Sequence, residues 1–119
     1  MIPIQLTIEG LYSYQSRQKI DFNKLTEAGL FGIFGAVGSG KSSILEAITF
    51  ALYGETERLN SKDKRAYNMM NLKSNKSFIE FDFSNFNNEE YRITREFKRN
   101  SKKYDDVKST SVLLSKKVN

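Results

Sequence analysis

The eight residues Gly35-Ala36-Val37-Gly38-Ser39-Gly40-Lys41-Ser42 constrain this chain more than any other part of it. They fit G-x-x-x-x-G-K-[ST], the spacing of a phosphate-binding loop. On one side lies Leu30–Phe34 (LFGIF), a short apolar run of the kind that forms a strand buried on both faces. On the other side Ile44, Leu45, Ile48, Ala51 and Leu52 fall along one stripe of a helix, with Gly54 placed to end it. Each fixed position has a physical reason. Gly35, Gly38 and Gly40 allow the backbone to approach phosphate oxygens, and successive N–H groups then form an anion nest. The helix start adds unpaired N–H groups and a favourable dipole. Lys41 supplies a point charge for the β/γ-phosphates, and the Ser42 hydroxyl is the expected protein ligand of Mg²⁺. The loop therefore predicts nucleotide binding.

Hydrolysis asks for more: an acidic group beside Mg²⁺ and something to orient water. The nearest acidic candidate is FIEFDF, Phe78–Phe83. Its strict alternation predicts a half-exposed strand with Glu80 and Asp82 toward solvent, rather than a buried strand ending in a metal-binding acid. NNEEY reads as a hairpin turn and Tyr104–Asp106 as a loop. No catalytic residue is expected within the chain.

The remaining pattern is largely period two. Ile2, Ile4, Leu6 and Ile8 alternate with Pro3, Gln5, Thr7 and Glu9, predicting an opening strand, with Pro3 suited to its beginning. Ile20 and Phe22 alternate with Lys19 and Asp21, predicting a second strand antiparallel to it. Residues 55–77 are polar and weakly periodic, a long connection with a short helix expected around Lys64–Met70. SFIEFDF and EYRITREFK then predict a β-hairpin, NSKKYDD a loop and STSVLLSKKVN a last strand. Residues 1–119 form one unit in this reading. The loop strand and helix occupy 30–54, and an antiparallel β-subdomain is drawn from 1–23 and 77–119.

Composition narrows the function classes. Neither cysteine nor histidine occurs, which removes disulfides, Cys/His metal sites and Ser-His or Cys-His nucleophiles from this chain. No apolar run reaches the roughly 18 residues of a membrane span. The N-terminus lacks the features of a signal peptide, so a cytoplasmic setting without membrane contact is expected. The formal charge of +5 is uneven, with five Lys/Arg against six Asp/Glu in residues 1–60 and fourteen against eight in 61–119. A basic second half suits a polyanion, and it equally suits lysines solvating exposed strands.

With these elements placed, the chain resembles the N-terminal segment of SbcC-type DNA-repair ATPases, members of the SMC-like, ABC-class head family. LTIEGLYSYQSRQKIDF (Leu6–Phe22) is similar to that family's opening strand, aromatic-Ser-Tyr turn and return strand. LFGIFGAVGSGKSSILEAITFALYGET (Leu30–Thr56) is similar to its Walker A segment, including the A-L-Y-G at Ala51–Gly54. SFIEFDF followed by EEYRITREFKR is similar to its hairpin. The resemblance implies an α/β P-loop NTPase fold, specifically the N-terminal lobe of a split ABC-type ATPase head carrying an antiparallel β-subdomain.

Further expectations come with that resemblance. Gly35, Ala36, Val37, Gly38, Ser39, Gly40, Lys41 and Ser42 would hold ATP, with Ser43 near the α-phosphate and Ser42 on Mg²⁺. The implied partners are the C-terminal half of the same head, a second head in a homodimer, an SbcD-like nuclease and DNA. The glutamine loop, signature motif, Walker B acids and switch histidine of the family would lie past Asn119. Tyr12 stands where several relatives have a basic residue ahead of the turn serine, and Lys62–Arg65 where relatives have a loop near the base and ribose. For DNA the candidates are Lys98, Arg99, Lys102 and Lys103, beside Tyr104. An exposed hairpin end dressed with lysines accounts for the same residues. Two other readings compete with the ATPase lobe: a stand-alone P-loop enzyme, and a nucleic-acid-binding β-module with a vestigial loop.

Overall fold

Alternating apolar residues in four separate stretches of the chain find each other in a single five-stranded sheet. The computed structural model describes residues 1–24, 43–54, 67 and 69–118. The strands are β1 (Ile2–Glu9), β2 (Gln18–Asp21), β3 (Lys76–Ser84), β4 (Glu90–Arg99) and β5 (Val107–Lys116). Their order across the sheet is β2-β1-β3-β4-β5, and every neighbouring pair is antiparallel. Helix α1 (Ser43–Tyr53) lies against β3 and β4. The expected strand at Leu30–Phe34, the loop Gly35–Ser42 and Lys62–Arg65 lie outside the described residues.

Register makes the two faces of the sheet chemically different. Leu6, Phe81, Ile93 and Leu114 are side-by-side partners across four strands, and so are Ile8, Ile79, Arg95 and Val112. Leu6, Ile8, Ile79, Phe81 and Ile93 of these rows belong to the sheet half of the core, which Ala47, Ile48, Phe50 and Ala51 of α1 close from above. Burying such side chains contributes about 2 kcal/mol each. Phe50 meets Phe97 of β4 edge-on, with ring centroids 5.1 Å apart. Ala47 and Phe50 thus widen the helix stripe expected from Ile44, Leu45, Ile48, Ala51 and Leu52, of which the Leu45 side chain lies outside the described residues. On β5 the apolar residues Val112, Leu113 and Leu114 remain more than half exposed.

Two local features depart from the alternation pattern. Phe22 does not continue the second strand. The Asp21 carboxylate accepts the Asn23 N–H at 3.0 Å, the chain turns into a 3-10 segment (Phe22–Lys24), and the Phe22 ring tucks into the core. At the start of β1 the register shifts between Pro3 and Gln5. Pro3 lies outside the part of β1 paired with β2, so its missing N–H removes no bond there. The β3–β4 hairpin forms at NFNNE, where the Asn85 side chain accepts the N–H groups of Asn87 and Glu89. Asn88 takes a left-handed φ of 62°.

Arg99, expected as a DNA contact, has a different place. It is 5% exposed at the end of β4. Its guanidinium donates to the carbonyls of Ser74 (3.2 Å), Asn71 (3.3 Å) and Tyr104. Its Cζ stacks 3.9 Å from the centre of the Tyr104 ring and 5.7 Å from that of Tyr67. The Tyr104 hydroxyl in turn donates to the Leu72 carbonyl. Arg99 therefore fastens the 71–74 and 100–106 loops together, because five N–H donors in one plane can serve several carbonyls at once. Arg99→Met should lower the urea unfolding free energy by about 3 kcal/mol, since it removes three charge-assisted hydrogen bonds from partly buried carbonyls. Arg99→Lys should recover less than half, and Lys98→Met should stay within about 0.5 kcal/mol of wild type.

Candidate functional site

The loop Gly35–Ser42 and the side chain of Ser43 lie outside the described residues. The element that follows the loop in sequence is α1. Its N-terminal residue, Ser43, directly follows the last residue of the motif, and its sheet-facing side is fixed by Ala47, Ile48, Phe50 and Ala51. Thr49 and Tyr53 face solvent. The residue types of the motif suit the implied ligands: a lysine cation suits phosphate, a serine hydroxyl is a hard oxygen of the kind Mg²⁺ takes, and glycine has no side chain to cover its N–H.

The far end of α1 is held from the sheet. Gly54 closes the helix with φ 63°, its N–H donating to the Phe50 carbonyl at 2.7 Å. Arg95 of β4 reaches up from the apolar row and donates through Nε to the Ala51 carbonyl at 2.7 Å. Burial pulls its pKa below the ordinary arginine value. A cation at this end complements the partial negative charge of the last helical carbonyls.

Below the helix, the turn Gly10–Tyr14 is tied to the chain that leads into β3. Leu11 and Tyr14 exchange backbone hydrogen bonds, and the Tyr12 N–H donates to the Met69 carbonyl at 2.7 Å. The Asn71 side chain donates to the Tyr12 carbonyl, and the Ser77 hydroxyl to that of Gly10, both at 2.7 Å. Gly10 has φ 68°, and a Cβ there would stand 2.3 Å from the Lys76 carbonyl oxygen. Tyr12 packs against the core.

Glu80 and Asp82 lie on the sheet face opposite α1, and they are less open than the alternation implied. Their side chains are 22% and 18% exposed, because Arg92 lies over both. Its guanidinium grips Asp82 with two bonds of 2.7 and 3.0 Å and approaches Glu80 at 3.2 Å. The Asp82 carboxylate is the main reason that Arg92 holds its proton more tightly than usual. With a sheet between them and α1, these two acids form an ion-pair cluster with Arg92. Among the described residues no group of three His, Cys, Asp or Glu could hold a metal ion.

The same outer face ends in a row of lysines. Lys76 pairs with Lys98, and Lys98 with Lys108, so three exposed ammonium groups stand side by side across β3, β4 and β5. Like charges placed directly opposite repel, so the row concentrates positive charge at this end of the sheet. Lys102 and Lys103 are exposed in the adjoining loop, which is braced by Asn100. The Asn100 side chain donates to the Asp106 carboxylate at 3.0 Å and accepts the Lys102 N–H at 2.8 Å. Of the four residues expected at DNA, Lys98, Lys102 and Lys103 are thus exposed at one sheet end. Arg99 is committed to the fold, and one face of Tyr104 is covered by it. Lys76 and Lys108 were not legible as members, because only strand register brings them beside Lys98.

Over 104 residues the chain is 45% identical to the C subunit of the SbcCD nuclease of Clostridium acetobutylicum, covering 86% of this chain and 8% of that protein. The protein of the same name in Bacillus subtilis is 45% identical over 101 residues, 83% of this chain and 9% of that one. The "Probable DNA double-strand break repair Rad50 ATPase" of Aquifex aeolicus is 35% identical over 98 residues, covering 82% and 10% respectively. The chain spans about a tenth or less of the length of these curated relatives. Residues 5–119 match the family described as "AAA domain", nearly the whole sequence, and the chain belongs to that family.

Proposed function

We propose that this chain is the ATP-binding N-terminal lobe of a split, SbcC-like ATPase head that cooperates with a nuclease in processing DNA ends. The observation that carries the reading is the motif Gly35–Ser42 running into a helix seated on an antiparallel sheet, in a chain 45% identical to the SbcC proteins of two bacteria. In this reading the backbone N–H groups of Gly35–Gly40 surround the phosphates, and Lys41 neutralises their outer charge. Ser42 supplies one oxygen to Mg²⁺, and Ser43 sits near the α-phosphate. Bound Mg²⁺–ATP brings the electrophilic phosphoryl group. The acid and water-orienting residues come from the C-terminal half of the head and from a second head, so the lobe binds without turning over. Partners are therefore that second half, a second copy of the head, an SbcD-like nuclease and DNA.

Lys98, Lys102 and Lys103, joined by Lys76 and Lys108, form the DNA-facing sheet end in this proposal. Contacts from ammonium groups to phosphates give affinity without sequence preference. That surface also favours the second reading, a nucleic-acid-binding β-module in which the loop is vestigial.

Titration with a fluorescent ATP analogue separates the two. Wild type should bind in a Mg²⁺-dependent way, and Lys41→Ala should weaken binding by about tenfold or more, as expected when a charge-assisted contact is lost. Equal binding by both proteins would leave only the β-module. ATP turnover by the chain alone at the rate of an intact ATPase, abolished by Lys41→Ala, would overturn the lobe assignment. For DNA, the slope of log K against log salt should shallow by roughly 0.9 for each lysine among 76, 98 and 108 changed to Gln. An unchanged slope in the triple variant would place the contact elsewhere.

A further inference from the structure

Arg95 is out of keeping with its surroundings. Its neighbours across the sheet are Ile79 on β3 and Val112 on β5, on the side that α1 covers. A guanidinium held in such a row gives up hydration, and the surroundings must compensate it. What it meets is the end of α1. Nε donates to the Ala51 carbonyl at 2.7 Å. The rest of the fork lies so close to Gly54 that a Cβ there would stand 2.7 Å from Nη1, 3.0 Å from Cζ and 3.2 Å from Nη2. Gly54 is thus favoured by its left-handed φ of 63°, and a Cβ there would push the arginine fork aside.

Apolar contacts alone leave α1 one freedom. Ala47, Ile48, Phe50 and Ala51 decide which side of the helix faces the sheet, but burial is non-directional and tolerates sliding. A hydrogen bond to one named carbonyl does not. An eleven-residue helix is about 16 Å of rigid rod at 1.5 Å per residue, so its two ends move together.

We propose that Arg95 is a positioning residue for the nucleotide site: by holding the Ala51 carbonyl, it fixes α1 along its axis and thereby the place of the helix start, Ser43, which directly follows the nucleotide motif in sequence. This rests on the reading of Gly35–Ser42 as the nucleotide loop. Arg95 touches no substrate; it acts through the helix. It also accounts for the A-L-Y-G at Ala51–Gly54. Ala51 fits closely against the sheet, Leu52 packs at the core's edge, Tyr53 faces water, and Gly54 leaves room for the fork.

The test uses the same chain and the same fluorescent ATP analogue, with stability measured in parallel. Arg95→Gln should keep its far-UV helix signal and weaken nucleotide binding by about tenfold, the equivalent of one charge-assisted hydrogen bond. Arg95→Lys, which restores a cation but not the planar fork, should recover part of that loss. Gly54→Ala should weaken binding to a similar degree and add little on top of Arg95→Gln, because both changes remove one contact. Arg99→Lys is the control: it lowers stability at the 71–74 and 100–106 loops, away from α1, while the folded protein keeps wild-type affinity. If Arg95→Gln does not fold, the Lys and Gly54→Ala variants carry the test, with folded proteins of weakened affinity expected. Wild-type affinity in the folded Arg95 and Gly54 variants, alongside loss in Lys41→Ala, would overturn the positioning role alone. No effect of Lys41→Ala would sink the loop reading and the positioning role together.

Discussion

The seating of one helix on one sheet is the constraint on which the rest depends. Residues near both ends of the chain, Leu6 and Ile8 on β1 and Ile93 and Phe97 on β4, converge on β3, and together they form the floor that α1 occupies. The floor is specified by register, since a slip of one residue would turn Ile79 and Phe81 outward and bring Glu80 beneath the helix. Two kinds of force then share the work of holding α1. Apolar burial gives most of the energy and chooses the face, while the directional bond from Arg95 selects a position along it.

The sheet also separates chemistries that would interfere with each other. Toward α1 it is aliphatic and aromatic, with one guanidinium at the helix end. Away from α1 it carries a compact ion-pair cluster of Glu80, Asp82 and Arg92, and at its end the lysine row. Positive charge on the outer face therefore lies apart from the cation that serves the helix. Polyanion attraction and helix positioning can be altered independently, even though Arg95 and Lys98 are three residues apart on one strand.

Much of this was legible because period-two alternation survives wherever one face of a strand is buried. FIEFDF and YRITREF announced β3 and β4 in that way, and the asparagine-rich NFNNE announced their turn. Phe22 escapes such a reading since a capping aspartate, invisible to periodicity, ends the strand one residue early. Arg99 falls in with Lys98, Lys102 and Lys103 because sequence reports charge but not which side of a strand end is covered by neighbouring loops. The lysine row and the Arg95–Ala51 bond were hidden for a related reason. Each joins residues from different elements, and only the register of β3, β4 and β5 or the placement of α1 reveals them.

Lys98 and Arg99 are adjacent, carry the same charge and end the same strand, yet they answer to different selective demands. At 98 the requirement is a cation in water, which lysine and arginine meet equally well. At 99 the requirement is a flat fork among three carbonyls and against the ring of Tyr104, which no other residue supplies. Drift through generations should therefore blur the first position freely and leave the second almost still. A surface-charge map of this hairpin that counts both would overstate by one the positive charges open to change.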